Sequence, residues 1–408
     1  MRLIAALLVL ISFAAVSRAD ARQSALLAAW TQIGAHGIVF ARAITRGNCP
    51  AATIDGRTEP MRTRAAPTAN FEVRSCEASV PGSARSVSLA GRRLPMPAPH
   101  IHTVAVLGDT GCRIEIIFFQ ACSDPNKWPF PRIAAQIASQ KPDLVIHAGD
   151  YYYRETACLV PACAGSPHGD NWDVWSADFF APAAPMLAAA PILAVRGNHE
   201  DCVRGGLGWD RFLDPYPFGP CREHEQAYLA QVGGRSFFVL DSSSALDSRP
   251  NRLVPLFRAD FAALRNERAS GIWLLTHRPM WGVDATLTGR TLAINRTLEA
   301  AEGNPRDLPI ELALSGHIHL FEALRFGDSR PPQIVVGTGG DTLSTLPGRI
   351  QNVRIDGTTV AGGTAWYGFG FAIFRLDAHT FDVYNRTGAK VFACGYSPGN
   401  VECRRVSG

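Results

Sequence analysis

Five pieces of this chain place a group able to bind a metal within a few residues of a short apolar run. They are Gly108-Asp109-Thr110-Gly111, Gly149-Asp150-Tyr151-Tyr152-Tyr153, Gly197-Asn198-His199-Glu200, His277-Arg278-Pro279 and Gly316-His317-Ile318-His319. Carboxylate, imidazole, carboxamide and phenolate together suit iron, zinc or manganese rather than copper(I) or calcium. Two hard cations side by side need a ligand that bridges them, and Asp150, central in the set, is the natural candidate. His317 and His319 stand two apart, so on an extended strand end both face the same side. A glycine before the polar group, as in four of the five pieces, lets the chain turn sharply there.

The runs that must position these groups are Val104 to Leu107, Leu144 to Ala148, Ile192 to Val195, Ile272 to Leu275 and Leu312 to Leu314. Each has the length and composition of a strand buried on both faces. Helical spacing falls between several of them, as with Ile133 and Ile137 ahead of Pro142, with Trp172, Trp175 and Phe179, and with Phe261 and Leu264. Strands alternating with helices predict an α/β domain over residues 101–408, with ligands gathered beyond the carboxyl ends of the strands. Within it, Gln333 to Val336, Phe369 to Arg375, Phe381 to Asn385 and Val391 to Ala393 read as strands that form or complete a second sheet. Residues 22–100 lack a helical period and read as a small β-rich accessory domain, closed by the stiff linker Arg93 to Pro99.

Ahead of these, Met1-Arg2 followed by the apolar run Leu3 to Val16 predicts a secretory signal over residues 1–19, cut after Ala19 or Ala21. The run is shorter than the ~20 residues needed to span a bilayer, and no later segment qualifies. Losing Arg2 and Arg18 with the peptide lowers the formal charge of +4 by two. That weak excess argues against a dedicated nucleic-acid partner. An exported chain, periplasmic or secreted, reaches an oxidising compartment, so its 10 cysteines read as disulfides. Proximity pairs Cys49 with Cys76, Cys112 with Cys122, Cys158 with Cys163, Cys202 with Cys221 and Cys394 with Cys403. No C-x-x-C occurs, which speaks against a zinc ribbon or a thioredoxin-like site.

In this order the motifs resemble those of the calcineurin-like metallophosphoesterases over roughly residues 101 to 345. Most of that family has Asp-x-His in the first motif, whereas Asp109 is followed by Thr110-Gly111, and Tyr153 stands three after Asp150. Both features are similar to the purple acid phosphatase branch, where a tyrosine phenolate on iron(III) replaces the histidine. The resemblance implies two stacked β-sheets flanked by helices. It also implies one metal, iron(III), on Asp109, Asp150, Tyr153 and His319, and a second, zinc, manganese or iron, on Asp150, Asn198, His277 and His317. His199 would contact the phosphate or the leaving oxygen, with Asn198 close by and Arg154 as a further donor to the substrate. Two departures stand out: the fifth motif continues Leu320-Phe321-Glu322-Ala323, and no histidine lies between His277 and His317. The second removes the usual leaving-group acid and leaves His199, His168, His224 or water.

The expected activity is acid phosphatase-like hydrolysis of a small phosphomonoester, with two cations lowering the pKa of a bound water. A phosphodiesterase acting on nucleotides or lipid head groups is the alternative within enzymes. A metal-binding protein of the same fold without catalysis is the alternative outside them.

Overall fold

The computed structural model describes residues 26–286, 288–289 and 291–406, so the expected signal segment lies outside the described residues. Two large β-sheets are stacked face to face. The first has eleven strands. At its centre Thr103–Leu107, Leu144–His147, Ile192–Ala194 and Leu26–Ile33 run parallel, each hydrogen-bonded to the next. The second has eight strands, with Arg235–Val239, Ile272–Leu275, Ile310–Ser315 and Gln333–Val336 parallel at its centre.

Side-chain alternation along these strands builds the layers. Val104, Val106, Leu144 and Ile146 point into a core shared with Trp273, Leu275, Leu312 and Leu314 of the other sheet. Ala105, Leu107 and Val145 point the opposite way and pack on Ile133, Ile137 and Leu187 of helices Phe130–Gln140 and Ala184–Ala189. On the far side, Phe238, Ile272 and Leu274 meet Phe257, Phe261 and Leu298 of helices Val254–Asn266 and Arg296–Glu302. The order is helices, sheet, sheet, helices, the α/β sandwich that the motifs implied.

Two expectations about sheet membership need correction. Gln333–Val336 does lie in the second sheet, but Gly370–Arg375, Thr380–Asn385 and Lys390–Ser397 extend the first, because Gly370–Arg375 pairs antiparallel with Thr103–Leu107. The N-terminal segment is β-rich yet does not stand apart. Leu26–Ile33 closes the edge of Ile192–Ala194, and Val39–Thr45, Arg74–Val80 and Arg62–Ala65 carry the sheet further. A separate four-stranded sheet, holding Ala51–Ile54 and Val87–Leu89, covers the inter-sheet core with Ala52, Ile54, Val87 and Leu89.

All ten cysteines are bonded, in the five pairs that proximity suggested. No helix among the described residues is long and apolar enough to cross a membrane.

Candidate metal centre

The five motifs converge where the two sheets end together. Asp109, Asp150 and Asn198 come from the first sheet, and His277, His317 and His319 from the second. Asp109, Asp150 and His317 all adopt left-handed backbone, with φ of 59°, 57° and 71°. Such conformations are uncommon outside glycine and gather at functional sites. The glycines beside them serve mainly as clearance. A Cβ on Gly197 would stand 2.1 Å from Asp150 Oδ1, and one on Gly316 2.5 Å from Asp109 Oδ2.

Asp150 lies at the middle. Its Oδ2 accepts a hydrogen bond from Tyr153 Oη at 2.7 Å and lies 3.2 Å from His277 Nε2. Its Oδ1 accepts from the backbone N–H of His199 at 2.9 Å. On one side, Tyr153 Oη is 3.3 Å from Asp109 Oδ1 and 3.0 Å from His319 Nε2. On the other, His277 Nε2 is 3.0 Å from Asn198 Oδ1. Two donor groups result, Asp109 with Asp150 and His319, and Asp150 with His277 and His317, each drawn within 4.8 Å, and Asp150 belongs to both.

The ring nitrogens are set for metals. His277 Nδ1 donates to the Ala148 carbonyl at 2.7 Å and His319 Nδ1 to the Thr342 carbonyl at 2.8 Å. Each turns Nε2 toward the carboxylates, the usual arrangement behind a ligating histidine. His317 is held at Nε2 by Asp247 at 2.9 Å, leaving Nδ1 as its remaining donor atom. Charge agrees. Burial, and then the Asp150, Asp109 and Asp341 carboxylates, push the Tyr153 phenol well above its ordinary value. Burial would lower His319, yet Asp341 and Asp109 raise it to about 9. A pocket that resists the Tyr153 phenolate and retains a proton on His319 is one with negative charge to spare for cations.

Of three adjacent tyrosines, Tyr153 reaches the carboxylates. Tyr151 Oη bonds the Val195 carbonyl at 3.1 Å, and Tyr152 stacks on Trp175. His147 is a core residue, bonded to Thr110 Oγ1 at 2.9 Å and stacked on Tyr151. Arg154 is not brought to the cluster. Its guanidinium is buried against Asp178, 2.5 Å away, and lies over the face of Trp128. Arg113 comes instead, stacked over the Tyr153 ring and paired with Asp341. His224 is tied to Asp260 at 2.8 Å, and His168 lines a separate depression with Asn70 and Glu72. His199 alone of the three candidate acids is at the centre, its ring 3.9 Å from that of Tyr153 and its Nε2 3.9 Å from Asp150 Oδ2.

Several residues here escaped the motif reading. Glu155 Oε1 lies 2.7 Å from His199 Nδ1, in hydrogen-bond contact, and Glu115 Oε1 stands 3.5 Å from the same nitrogen. Glu200 organises the Asp150 turn. Its two oxygens accept from the N–H groups of Gly197, Asp150, Tyr151 and Tyr152 at 2.8–3.1 Å. Glu155 follows Tyr153 by two and Glu200 follows His199 directly, so position within the motifs was the available signal. Asp247 and Asp341 carried none.

A sandwich of two sheets with acidic and imidazole donors gathered at its strand ends defines a metallohydrolase of the α/β class. The calcineurin-like phosphoesterase profile matches residues 102–321, more than half of the chain, and the protein belongs to that family. No curated protein sequence matches the chain. Among solved structures, a purple acid phosphatase from yellow lupin (Lupinus luteus) seeds is 14% identical with a TM-score of 0.60, over 89% of this chain and 72% of that one. A structure of PhoD is 12% identical with a TM-score of 0.51, over 93% of this chain and 92% of that one. At these identities the likeness is one of fold.

Proposed function

We propose that the protein is an exported, dinuclear phosphoesterase that hydrolyses phosphomonoesters in the manner of the acid phosphatases. The observation that carries this reading is Asp150, whose carboxylate belongs to both donor groups at once. Asp109, Asp150, Tyr153 and His319 would hold iron(III), and Asp150, Asn198, His277 and His317 a zinc, manganese or iron ion. When bound, the pair of ions would activate water and offset charge on the phosphoryl oxygens.

The chain's own residues then position and protonate. His199 faces the site with Nε2, while Glu155 holds Nδ1. Burial pushes the Glu155 carboxyl up to about 7 and the His199 imidazole well down. The pair therefore retains a proton near neutrality, shared across Glu155 and Nδ1, with Nε2–H left to donate to the departing oxygen. Arg113, fixed by Asp341, adds positive charge over the Tyr153 ring. Arg154 is withdrawn from substrate binding in this reading, since Asp178 occupies it.

Elemental analysis and parallel assays on mono- and diester chromogenic substrates test the proposal. Two metals per chain with iron among them, and faster monoester turnover, are expected. Faster diester turnover would favour the phosphodiesterase reading. Tyr153→Phe is expected to bleach a visible phenolate–iron(III) band while retaining metal, and a colourless iron-loaded wild type would refute the Tyr153 assignment.

A further inference from the structure

A second gathering of acids, which the phosphoester chemistry does not use, adjoins the third motif. Asp210 and Asp214 come from the helix Gly206–Phe212 and the turn after it, and Glu225 stands just before Tyr228–Val232, a strand of the second sheet. One oxygen from each lies within 4.8 Å of the other two. The three residues are 4%, 2% and 4% exposed. Carboxylates this close together and this far from water repel one another and lose hydration together.

Counter-charge is short. Asp241 adds a fourth buried carboxylate, and two buried guanidinia face the group. Arg196 Nη1 is 3.3 Å from Asp241 Oδ2 and 3.6 Å from Glu225 Oε1, and Arg64 Nη2 is 3.7 Å from Asp214 Oδ2. Glu77 is served by Arg42 and, from the surface, by Arg62. Arg222 stacks on Tyr216 in an exposed position, where water screens its charge. Four carboxylates against two guanidinia leave two negative charges, which one divalent cation offsets.

Polar atoms here also go unmet. The Tyr228 hydroxyl, on a residue 5% exposed, has no hydrogen-bond partner among the described residues. Tyr228 lines a cavity of about 10 Å³ with Arg196, Trp209, Glu225 and Asp241, room for one water-sized body. Glu225 accepts from Trp209 Nε1 at 2.9 Å and Asp214 from the Tyr216 N–H at 2.8 Å, whereas no N–H or O–H among the described residues donates to the Asp210 carboxylate. Burial pushes the Asp210 carboxyl up to about 7, and burial and then Asp214 push Glu225 well above the carboxylate range. Left to itself the cluster keeps protons, and a cation takes their place.

We propose that Asp210, Asp214 and Glu225 bind a calcium ion, with Tyr228 at its edge, and that this ion ties the helix behind the third motif to the second sheet. Donors that are all oxygen suit a hard divalent ion and not the iron or zinc of a mixed nitrogen and oxygen set. Arg196 is drawn aside to Asp241 and to the Arg222 carbonyl at 2.7 Å, and its Nε donates to the Glu200 carbonyl at 2.9 Å, which carries the link into the third motif. The ion acts on the fold and not on the phosphoryl group, so the proposal is independent of the phosphoester reading.

The test uses the full disulfide-bonded protein, equilibrium dialysis against radiolabelled calcium, thermal melts, and the variants Asp210→Asn, Glu225→Gln and Asp150→Ala. One calcium per chain is expected to bind with a dissociation constant of about 0.1 mM or tighter. In about 10 mM calcium chloride the melting temperature should rise by about 3–5 °C over sodium chloride of equal ionic strength. Asp210→Asn should weaken calcium binding about tenfold or more and lose the rise. Glu225→Gln keeps the acceptor for Trp209 and should behave alike, so the result does not hang on the folding of one variant. Asp150→Ala should bind calcium as the wild type does, which separates this site from the centre at Asp150. No calcium bound by the wild type, binding lost in Asp150→Ala but kept in Asp210→Asn and Glu225→Gln, or an equal rise in sodium chloride would each overturn the site. Calcium binding by a protein that hydrolyses no phosphate would uphold it and leave the phosphoester reading to fail alone.

Discussion

The two sheets bring different atoms to the centre and hold them by different means. The first supplies oxygen: Asp109, Asp150 and Asn198 sit on turns whose backbone is itself bonded, with Glu200 accepting four N–H groups beneath Asp150. The second supplies nitrogen, and its rings are bonded by backbone carbonyls, His277 Nδ1 by Ala148 at the end of the first sheet's strand Leu144–His147 and His319 Nδ1 by Thr342. Carboxylates are thus placed by loop shape, and imidazoles by choice of tautomer. Neither sheet has a complete set of the proposed ligands. Asp150 to His277 at 3.2 Å and Asp109 to His319 at 3.3 Å span the gap between them, so the stacking of the sheets is what makes the site.

The sharpest way to break this division is at its shared atom. Asp150→Ala is expected to remove both metals and lower turnover by about 10⁴-fold or more, whereas Asp109→Ala should remove only the ion held with His319. Elemental analysis of the two purified variants distinguishes them. One metal retained by Asp150→Ala would mean that the carboxylate does not bridge.

Next in size is the proton donor that neither sheet's ligands provide. His199→Ala is expected to slow alkyl phosphates by about 10²–10⁴-fold and aryl phosphates far less, since aryloxide leaves without protonation. Glu155→Gln should shift the same contrast in the same direction by a smaller factor, because it keeps the ring in place and removes the shared charge. Equal losses on alkyl and aryl substrates in His199→Ala would reduce His199 to a binder of phosphoryl oxygens.

Loop shape, the first sheet's device, is tested at Glu200. Truncation to alanine strands four buried N–H groups, and a buried donor left without its partner costs about 1–3 kcal/mol. Glu200→Ala is therefore expected to lower unfolding free energy by about 3 kcal/mol or more in urea. A loss under about 1 kcal/mol would show that other groups hold the Asp150 turn.

What could be seen beforehand follows the same divide. Residues within a motif were legible because a strand end, a turn and a ligand are neighbours in sequence, and this put Asp109, Asp150, Asn198, His277, His317 and His319 in one place. Partners that reach the site from distant loops, Asp247 and Asp341 above all, had no local signature. Arg154 misled for the opposite reason. It sits in a motif, but Asp178, 24 residues on, captures its side chain. Sheet membership failed likewise for Gly370–Arg375, because edge pairing is decided by which open strand a segment meets in space.

A pH-dependent contrast separates two buried glutamates that look alike in charge. Burial first, and then a neighbouring aspartate, lift Glu200 and Glu322 each to about 8. Glu200 is surrounded by four N–H donors, whereas Glu322, in the strand Phe321–Phe326, has Val283 N–H on Oε2 at 3.2 Å and no protein partner on Oε1 among the described residues. Glu322 is thus a proton holder without an organising role, and its substitution isolates the electrostatic part. Its carboxyl titrates near 4.3 in the unfolded chain. Between that value and about 8 the folded protein keeps a proton that the unfolded one releases. Unfolding free energy accordingly falls as pH rises through this window, by about 1.4 kcal/mol per pH unit at most, and the contribution is intact below about 4. Glu322→Gln cannot release that proton. Contributions from Glu200, Glu155 and the other titrating groups are common to both proteins and cancel in the difference. The variant should match the wild type near pH 4.5 and gain on it steadily to pH 8 in urea midpoints taken at half-unit steps. Parallel curves would mean that Glu322 is ionised in the folded protein, with its Oε1 supplied by water, and the contrast with Glu200 would then lie in hydration rather than in protonation.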